Sequence, residues 1–175
     1  MNELKFIFTG PPGAGKTTAI SSISEIPPVA SDVATTDDLA EIKQTTTVAM
    51  DFGEVTLPDG QILHLYGTPG QRRFRHMWEI LAQGALGLII LCDNSRPDPI
   101  ADMDIYLENF AQLIEQTGAV VAVNRMETPN SPTLEDYYTH LQDIGLILPV
   151  LAADPRERED MLMLLDTLIT TLEYV

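Results

Sequence analysis

Gly10-Pro11-Pro12-Gly13-Ala14-Gly15-Lys16-Thr17-Thr18 is the stretch that decides the fold. It follows Leu4 to Thr9, which reads as a short buried strand, and a helix is expected after it. A glycine-rich turn between strand and helix aims main-chain N–H groups inward, and the helix N-terminus adds the positive end of its dipole. Such a concavity holds phosphate. In the spacing Gly-x-x-x-x-Gly-Lys-Thr, the Walker A pattern, the lysine reaches the outer phosphates and the threonine hydroxyl reaches Mg²⁺. Roughly one chain of this length in a hundred matches by chance, so the pattern carries weight in this context. Pro11 and Pro12 lack an N–H, which leaves Gly13, Ala14, Gly15, Lys16, Thr17 and Thr18 to build the cradle.

Outward from this loop the chain alternates strands and helices. Glu25 to Lys43, with Pro27-Pro28 and many Ser, Thr and Asp residues, reads as a long loop outside the core. Val48 to Leu57 and Gln61 to Tyr66 flank Pro58-Asp59-Gly60, which predicts an antiparallel hairpin. Gly87 to Cys92, Ala119 to Val123 and Leu146 to Leu151 are apolar runs of the kind found in strands covered on both faces. Asp98-Pro99 starts a helix whose face is Met103, Leu107, Phe110 and Ile114, ended by Gly118. Leu134, Tyr138 and Leu141 mark a second, closed by Gly145. Asp154-Pro155 with Glu157 starts a third, with Met161, Leu165, Leu168 and Leu172 on its buried side. The expected architecture is an α/β phosphate-loop NTPase fold over residues 1–175: about six strands, mostly parallel with one antiparallel, helices on both faces, and the ligand at strand C-terminal ends.

The 175 residues suit one domain, and 45% hydrophobic against 21% charged residues predicts a chain folded nearly throughout. A formal net charge of -16 repels phosphate backbones, so nucleic acid is excluded as a partner, and the same charge favours a monomer or weak dimer. The single cysteine, Cys92, sits in an apolar run and forms no internal disulfide, in keeping with a cytoplasmic location. Asn2 and the ending Leu172-Glu173-Tyr174-Val175 give neither a myristoylation nor a prenylation signal, and no apolar run nears the roughly 18 residues of a membrane span. No direct membrane anchor is expected. His64, His76 and His140 show no metal-ligand spacing, and Trp78 is expected to pack rather than bind.

A phosphate loop alone leaves kinases, ATPases and GTPases open. Thr47-Val48-Ala49-Met50-Asp51-Phe52, followed by Gly67-Thr68-Pro69-Gly70-Gln71-Arg72-Arg73-Phe74-Arg75, resembles the end of switch I and switch II of Ras-like small GTPases. The nearest likeness is to the prokaryotic gliding-motility GTPases and the small GTPases paired with Roadblock-fold proteins, which also have a non-acidic residue where Gly67 stands. The resemblance implies a GTP/GDP site with Mg²⁺, with Thr17 and Thr47 as metal ligands and the Gly70 N–H on the γ-phosphate. It makes Gln71, which orients the attacking water, a catalytic candidate beside Lys16, which neutralises phosphate charge in the Walker A pattern; Arg72, Arg73 and Arg75 crowd this stretch, and Arg72 is the candidate for an internal arginine finger. Surface ion pairs are the ordinary alternative for Arg72 and its neighbours.

Asn124-Arg125-Met126-Glu127 stands where this superfamily has Asn-Lys-x-Asp. The resemblance assigns Glu127 to guanine N1 and its amino group, Arg125 to packing on the base, and the Asp154 N–H to the guanine carbonyl. Asn124 and Glu127 as loop caps, and Asp154 as a helix cap, are the competing readings. A Roadblock-fold activator, an exchange factor and an effector are the implied partners. The alternatives to a switch are a phosphate-loop small-molecule kinase and a non-hydrolysing, nucleotide-bound interaction protein.

Overall fold

The computed structural model describes residues 3–27, 29–30, 51–69 and 75–173. In chain order the strands are β1 (Leu4–Thr9), β2 (Val29–Ala30), β3 (Asp51–Thr56), β4 (Ile62–Gly67), β5 (Gly87–Asp93), β6 (Ala119–Asn124) and β7 (Val150–Ala152). The helices are α1 (Lys16–Ile23), α2 (Arg75–Ala82), α3 (Pro99–Asn109), α4 (Ala111–Gln116), α5 (Leu134–Asp143) and α6 (Arg158–Glu173). Among the described residues one sheet holds seven strands in the order β2-β3-β4-β1-β5-β6-β7. β3 runs antiparallel to both neighbours, and the pairs from β4 to β7 are parallel. The architecture is the expected α/β phosphate-loop fold with one antiparallel strand. The strand beyond the expected six is β2, a two-residue edge piece on β3 inside the segment read as loop.

Side-chain alternation divides the central strands between two cores. Ile7, Leu88, Ile90, Val121 and Val123 face the layer of α2 to α5, where Trp78 stacks on Phe110 with ring centroids 5.8 Å apart. Phe6, Phe8, Ile89, Leu91, Val120 and Ala122 face α1 and α6, against Ile20, Ile23, Leu164 and Leu168. Both faces of β5 and β6 are therefore dry, which is why Gly87 to Cys92 and Ala119 to Val123 are continuously apolar. Cys92 lies within this interior, and burial pushes its thiol pKa far up, so it is inert.

Local chemistry accounts for most boundaries. Between β3 and β4, Gly60 has φ +89°, its N–H donates to Leu57 O (2.8 Å), and the Gln61 N–H donates to Asp59 Oδ1 (3.0 Å). Asp98 caps α3 by accepting from the Ala101 N–H at 3.2 Å, with Pro99 in the first turn. Thr133 and Asp136 form a capping box on α5. Four expectations change. The helix predicted from Asp98 to Gly118 breaks at Phe110 into α3 and α4. On α5 Leu141 faces the core as expected, but the tyrosine beside it there is Tyr137, whereas Tyr138 is 41% exposed. β7 occupies only Val150–Ala152 of the apolar run from Leu146. The last helix starts at Arg158, because Asp154 and Pro155 form a turn in which the Glu157 N–H donates to Asp154 O (2.9 Å). Among the described residues no helix is long and apolar enough to cross a membrane.

The close approach of Gly10 to β5 fixes the phosphate loop to the sheet. A Cβ on Gly10 would lie 2.2 Å from the carbonyl oxygen of Leu91, at a φ of +148°. The obstacle is backbone and cannot swing aside. Gly10→Ala is therefore predicted to destabilise the protein by roughly 3 kcal/mol, read as a lowered urea midpoint with an unchanged slope. A midpoint equal to wild type would show that the loop does not press on β5.

Candidate nucleotide-binding site

At the C-terminal end of β1 the chain turns through Gly10 to Gly15 into α1. Gly15 takes φ +107° and, having no side chain, leaves the helix without a side-chain cap. The first intrahelical bond runs from the Ala19 N–H to Gly15 O (2.8 Å), so Lys16, Thr17 and Thr18 bring amides that helix geometry leaves without intrahelical partners. Ala14 differs from the expected cradle donor, because its N–H is used within the loop on Pro11 O at 3.2 Å. The concavity is thus built chiefly by residues at the helix start, as the two prolines dictate.

Lys16 is 8% exposed, and its ammonium donates to the carbonyls of Gly10 and Pro11, the latter at 2.9 Å. Burial pushes its pKa down to about 8, with the negative charge of Asp51 opposing the fall. The Thr17 hydroxyl, on the exposed side of α1, donates to Asp51 Oδ2 at 2.6 Å. Sequence reasoning gave Asp51 no role. The signal was available in the hairpin register, which places Asp51 opposite Gly67.

Beside the loop a cavity of 540 Å³ opens at the C-terminal ends of β6 and β7. It is lined by Gly15 and Thr18 on one side, Asn124, Arg125 and Glu127 on another, and Ala153 and Asp154 on the third. Its volume falls in the range of small-molecule sites, and its position is the crevice where open α/β sheets bind ligands. Asn124 ties β6 to the phosphate loop: its Nδ2 donates to Ala14 O at 3.4 Å and its Oδ1 accepts from the Arg125 N–H at 2.8 Å. Arg125 adopts φ +59°, an uncommon left-handed position for an arginine. From there its guanidinium reaches Gly13 O at 3.3 Å and Asp93 Oδ2 at 3.0 Å. Burial alone would raise the Asp93 pKa, but the Ser95 hydroxyl and amide together with Arg125 hold its carboxyl below the usual range. Asp93, at the end of β5, is a second residue the sequence reading missed.

Asp154 lines the cavity, but its N–H donates to Asp160 Oδ2 at 2.9 Å, and Arg156 clamps its carboxylate and pulls the pKa down to about 2. A contact from that amide to a base carbonyl requires the Asp160 bond to open. Thr47, Gly70, Gln71 and Arg72 lie outside the described residues. Among the described residues no three His, Cys, Asp or Glu side chains gather as a metal cluster. His64 pairs instead with Glu3 at 2.7 Å, and His140 with Asp104 at 2.8 Å. Trp78 is fully buried and donates Nε1–H to Pro69 O at 2.8 Å, which makes it a packing residue.

A phosphate loop at the head of a parallel sheet, joined to a polar cavity at the next strand ends, defines a phosphate-loop nucleotide-binding protein. The chain belongs to the family described as conserved hypothetical ATP binding protein, which matches residues 29–173. The match thus begins beyond the phosphate loop, whose assignment rests on its own sequence and geometry. An uncharacterized protein of Methanocaldococcus jannaschii is 29% identical over 96 residues, 54% of each chain. Intraflagellar transport protein 22 of Chlamydomonas reinhardtii is 25% identical over 112 residues, 62% of this chain and 54% of that protein. The chain spans about half the length of these curated relatives.

A phosphate-bound ammonium holds its proton more firmly than the free one. Nucleoside diphosphate affinity is therefore predicted to be constant below about pH 8 and to fall about tenfold per pH unit above it, until the bound group also titrates. Equilibrium titration with a fluorescent diphosphate across that range measures this. Constant affinity through pH 9 would remove the Lys16 ammonium from the phosphate contact.

Proposed function

We propose that this chain is a guanine-nucleotide switch that hydrolyses GTP slowly. The observation that carries the reading is the Glu127 carboxylate on the wall of the cavity, three residues after an Asn124 that is tied to the phosphate loop. An ionised carboxylate only accepts hydrogen bonds. Guanine offers two adjacent donors, N1–H and the 2-amino group, whereas adenine presents an acceptor at N1 and leaves one carboxylate oxygen unpaired. The family description names ATP, so the base is the first point to test.

In this reading the amides of Lys16, Thr17 and Thr18 and the Lys16 ammonium hold the β- and γ-phosphates. Thr17 and Thr47 are the residues to hold Mg²⁺, which when bound neutralises charge on the phosphate oxygens. The Thr17 hydroxyl fits that role, being on the outer side of α1 and already set by a carboxylate. The Gly70 N–H contacts the γ-phosphate, Gln71 orients the attacking water, and Arg72 stabilises charge as it develops. Phosphoryl transfer by water needs positioning and charge stabilisation more than covalent chemistry, so these parts suffice for slow turnover. Contacts made only while the γ-phosphate is present give partners two surfaces to distinguish. The acidic surface suits protein regulators in the cytoplasm, and by resemblance a Roadblock-fold dimer is the activator proposed. Residues 1–175 act as one domain.

Glu127→Ala is predicted to weaken GDP binding by about 100-fold or more and to leave ADP binding nearly unchanged, measured by competition against the same fluorescent nucleotide. ADP displacing the probe better than GDP in the wild-type protein would assign the site to adenine. Gln71→Leu is predicted to retain nucleotide but lose single-turnover hydrolysis by about 100-fold or more. Hydrolysis at the wild-type rate, or a phosphorylated small-molecule product, would end the switch reading.

A further inference from the structure

Gly67 ends β4 where the familiar switch II motif of Ras-like GTPases opens with an aspartate that organises the metal; the non-acidic residue that this chain shares with its nearest likenesses has no carboxylate to give. The pairing register sets Asp51, the first residue of β3, directly opposite. Facing residues of an antiparallel pair send their side chains to the same side of the sheet, about 5 Å apart. That side belongs to α1. A Cβ on Gly67 would stand 3.1 Å from Ile20 Cδ1, 3.2 Å from the Asp51 Cβ and 3.3 Å from Asp51 Oδ2. The Asp51 carboxylate thus leans into the space that a side chain at position 67 would fill. A second carboxylate there would both crowd and repel it.

From this position Asp51 Oδ2 accepts the Thr17 hydroxyl proton at 2.6 Å. We propose that Asp51 supplies, from across the hairpin, the carboxylate that organises Mg²⁺ at the phosphate loop, acting through Thr17. The inference rests on the nucleotide-binding reading of that loop. A hydroxyl that donates to a carboxylate keeps its oxygen lone pairs for a cation and becomes a better ligand. Mg²⁺ retains several waters, and the remaining carboxylate oxygen is an acceptor for them. Asp51 also lies near enough to Lys16 for its charge to oppose the effect of burial on that ammonium, which places it at the phosphate end of the site.

The alternative is a structural tie, in which the Thr17 bond merely fastens α1 to β3. Asp51→Asn separates the two, because an amide oxygen still accepts the hydroxyl but carries no charge. The experiment follows release of N-methylanthraniloyl GDP from the full chain as Mg²⁺ is raised, with affinity in EDTA and the melting temperature measured alongside. In wild type, release slows as Mg²⁺ rises. In Asp51→Asn the Mg²⁺ midpoint is expected to rise by about 10- to 100-fold, while EDTA affinity and melting temperature hold. The exchange variant, Asp51→Gly with Gly67→Asp, returns one carboxylate from the opposite strand and is expected to restore the midpoint. An unchanged midpoint in Asp51→Asn overturns the proposal. Equal losses with and without Mg²⁺ overturn it too, by making Asp51 a tie, as does a wild-type release rate that ignores Mg²⁺. If wild type binds neither the guanosine nor the adenosine probe under any condition, the nucleotide reading itself fails and this inference falls with it.

Discussion

The Lys16 ammonium is held beyond the C-terminal end of the central strand β1 by the carbonyls of Gly10 and Pro11, buried from solvent, and much of this end of the molecule follows from keeping it there. A cation so placed loses hydration, which is why its pKa falls, and an anion brought beside it regains that energy as Coulomb attraction in a low-dielectric setting. The site is polarised before any ligand arrives. Holding the ammonium requires the loop carbonyls to face inward, which in turn requires the left-handed turn at Gly15 and the tight pass of Gly10 against β5. The apolar strands beneath anchor the loop, so that the electrostatics are set by the fold.

The phosphate loop was legible in the sequence because every determinant is local: a strand, a glycine turn, a lysine and a helix start are contiguous. The hairpin was legible for the same reason, through Pro58-Asp59-Gly60. What was missed depends on facing partners. Tyr138 fits a helical stripe as well as Tyr137 does, and it is Tyr137 that packs into the core, its hydroxyl donating to Asn94 Oδ1 at 2.7 Å. Asp154-Pro155 has the letters of a helix start, yet the Asp154 side chain accepts from the Arg156 N–H two residues on, and the turn this makes delays the helix. Asp51 gave no signal of its own in the sequence, since its value comes from a strand pairing sixteen residues away and from α1 packed on the same side of the sheet.

The cavity beside the phosphate loop is braced by a single side chain. Arg125 bridges two elements with one planar group, touching Gly13 in the phosphate loop and Asp93 at the end of β5. That contact fastens the strand end that leads to Glu127 to the glycine-rich loop before α1. The cavity wall and the phosphate loop are thus mechanically joined, and the uncommon backbone angle at Arg125 is the local cost of the junction.

The protein contains a single tryptophan, and its indole is stacked on Phe110 with its N–H committed to the carbonyl of Pro69, the residue just before the Gly70-Gln71 stretch. Indole emission responds to the field and the hydrogen bond at that nitrogen, so displacement of Pro69 alters the colour or yield of the whole molecule's near-ultraviolet glow. The chain therefore carries its own optical gauge at the doorstep of that stretch, readable without any attached dye.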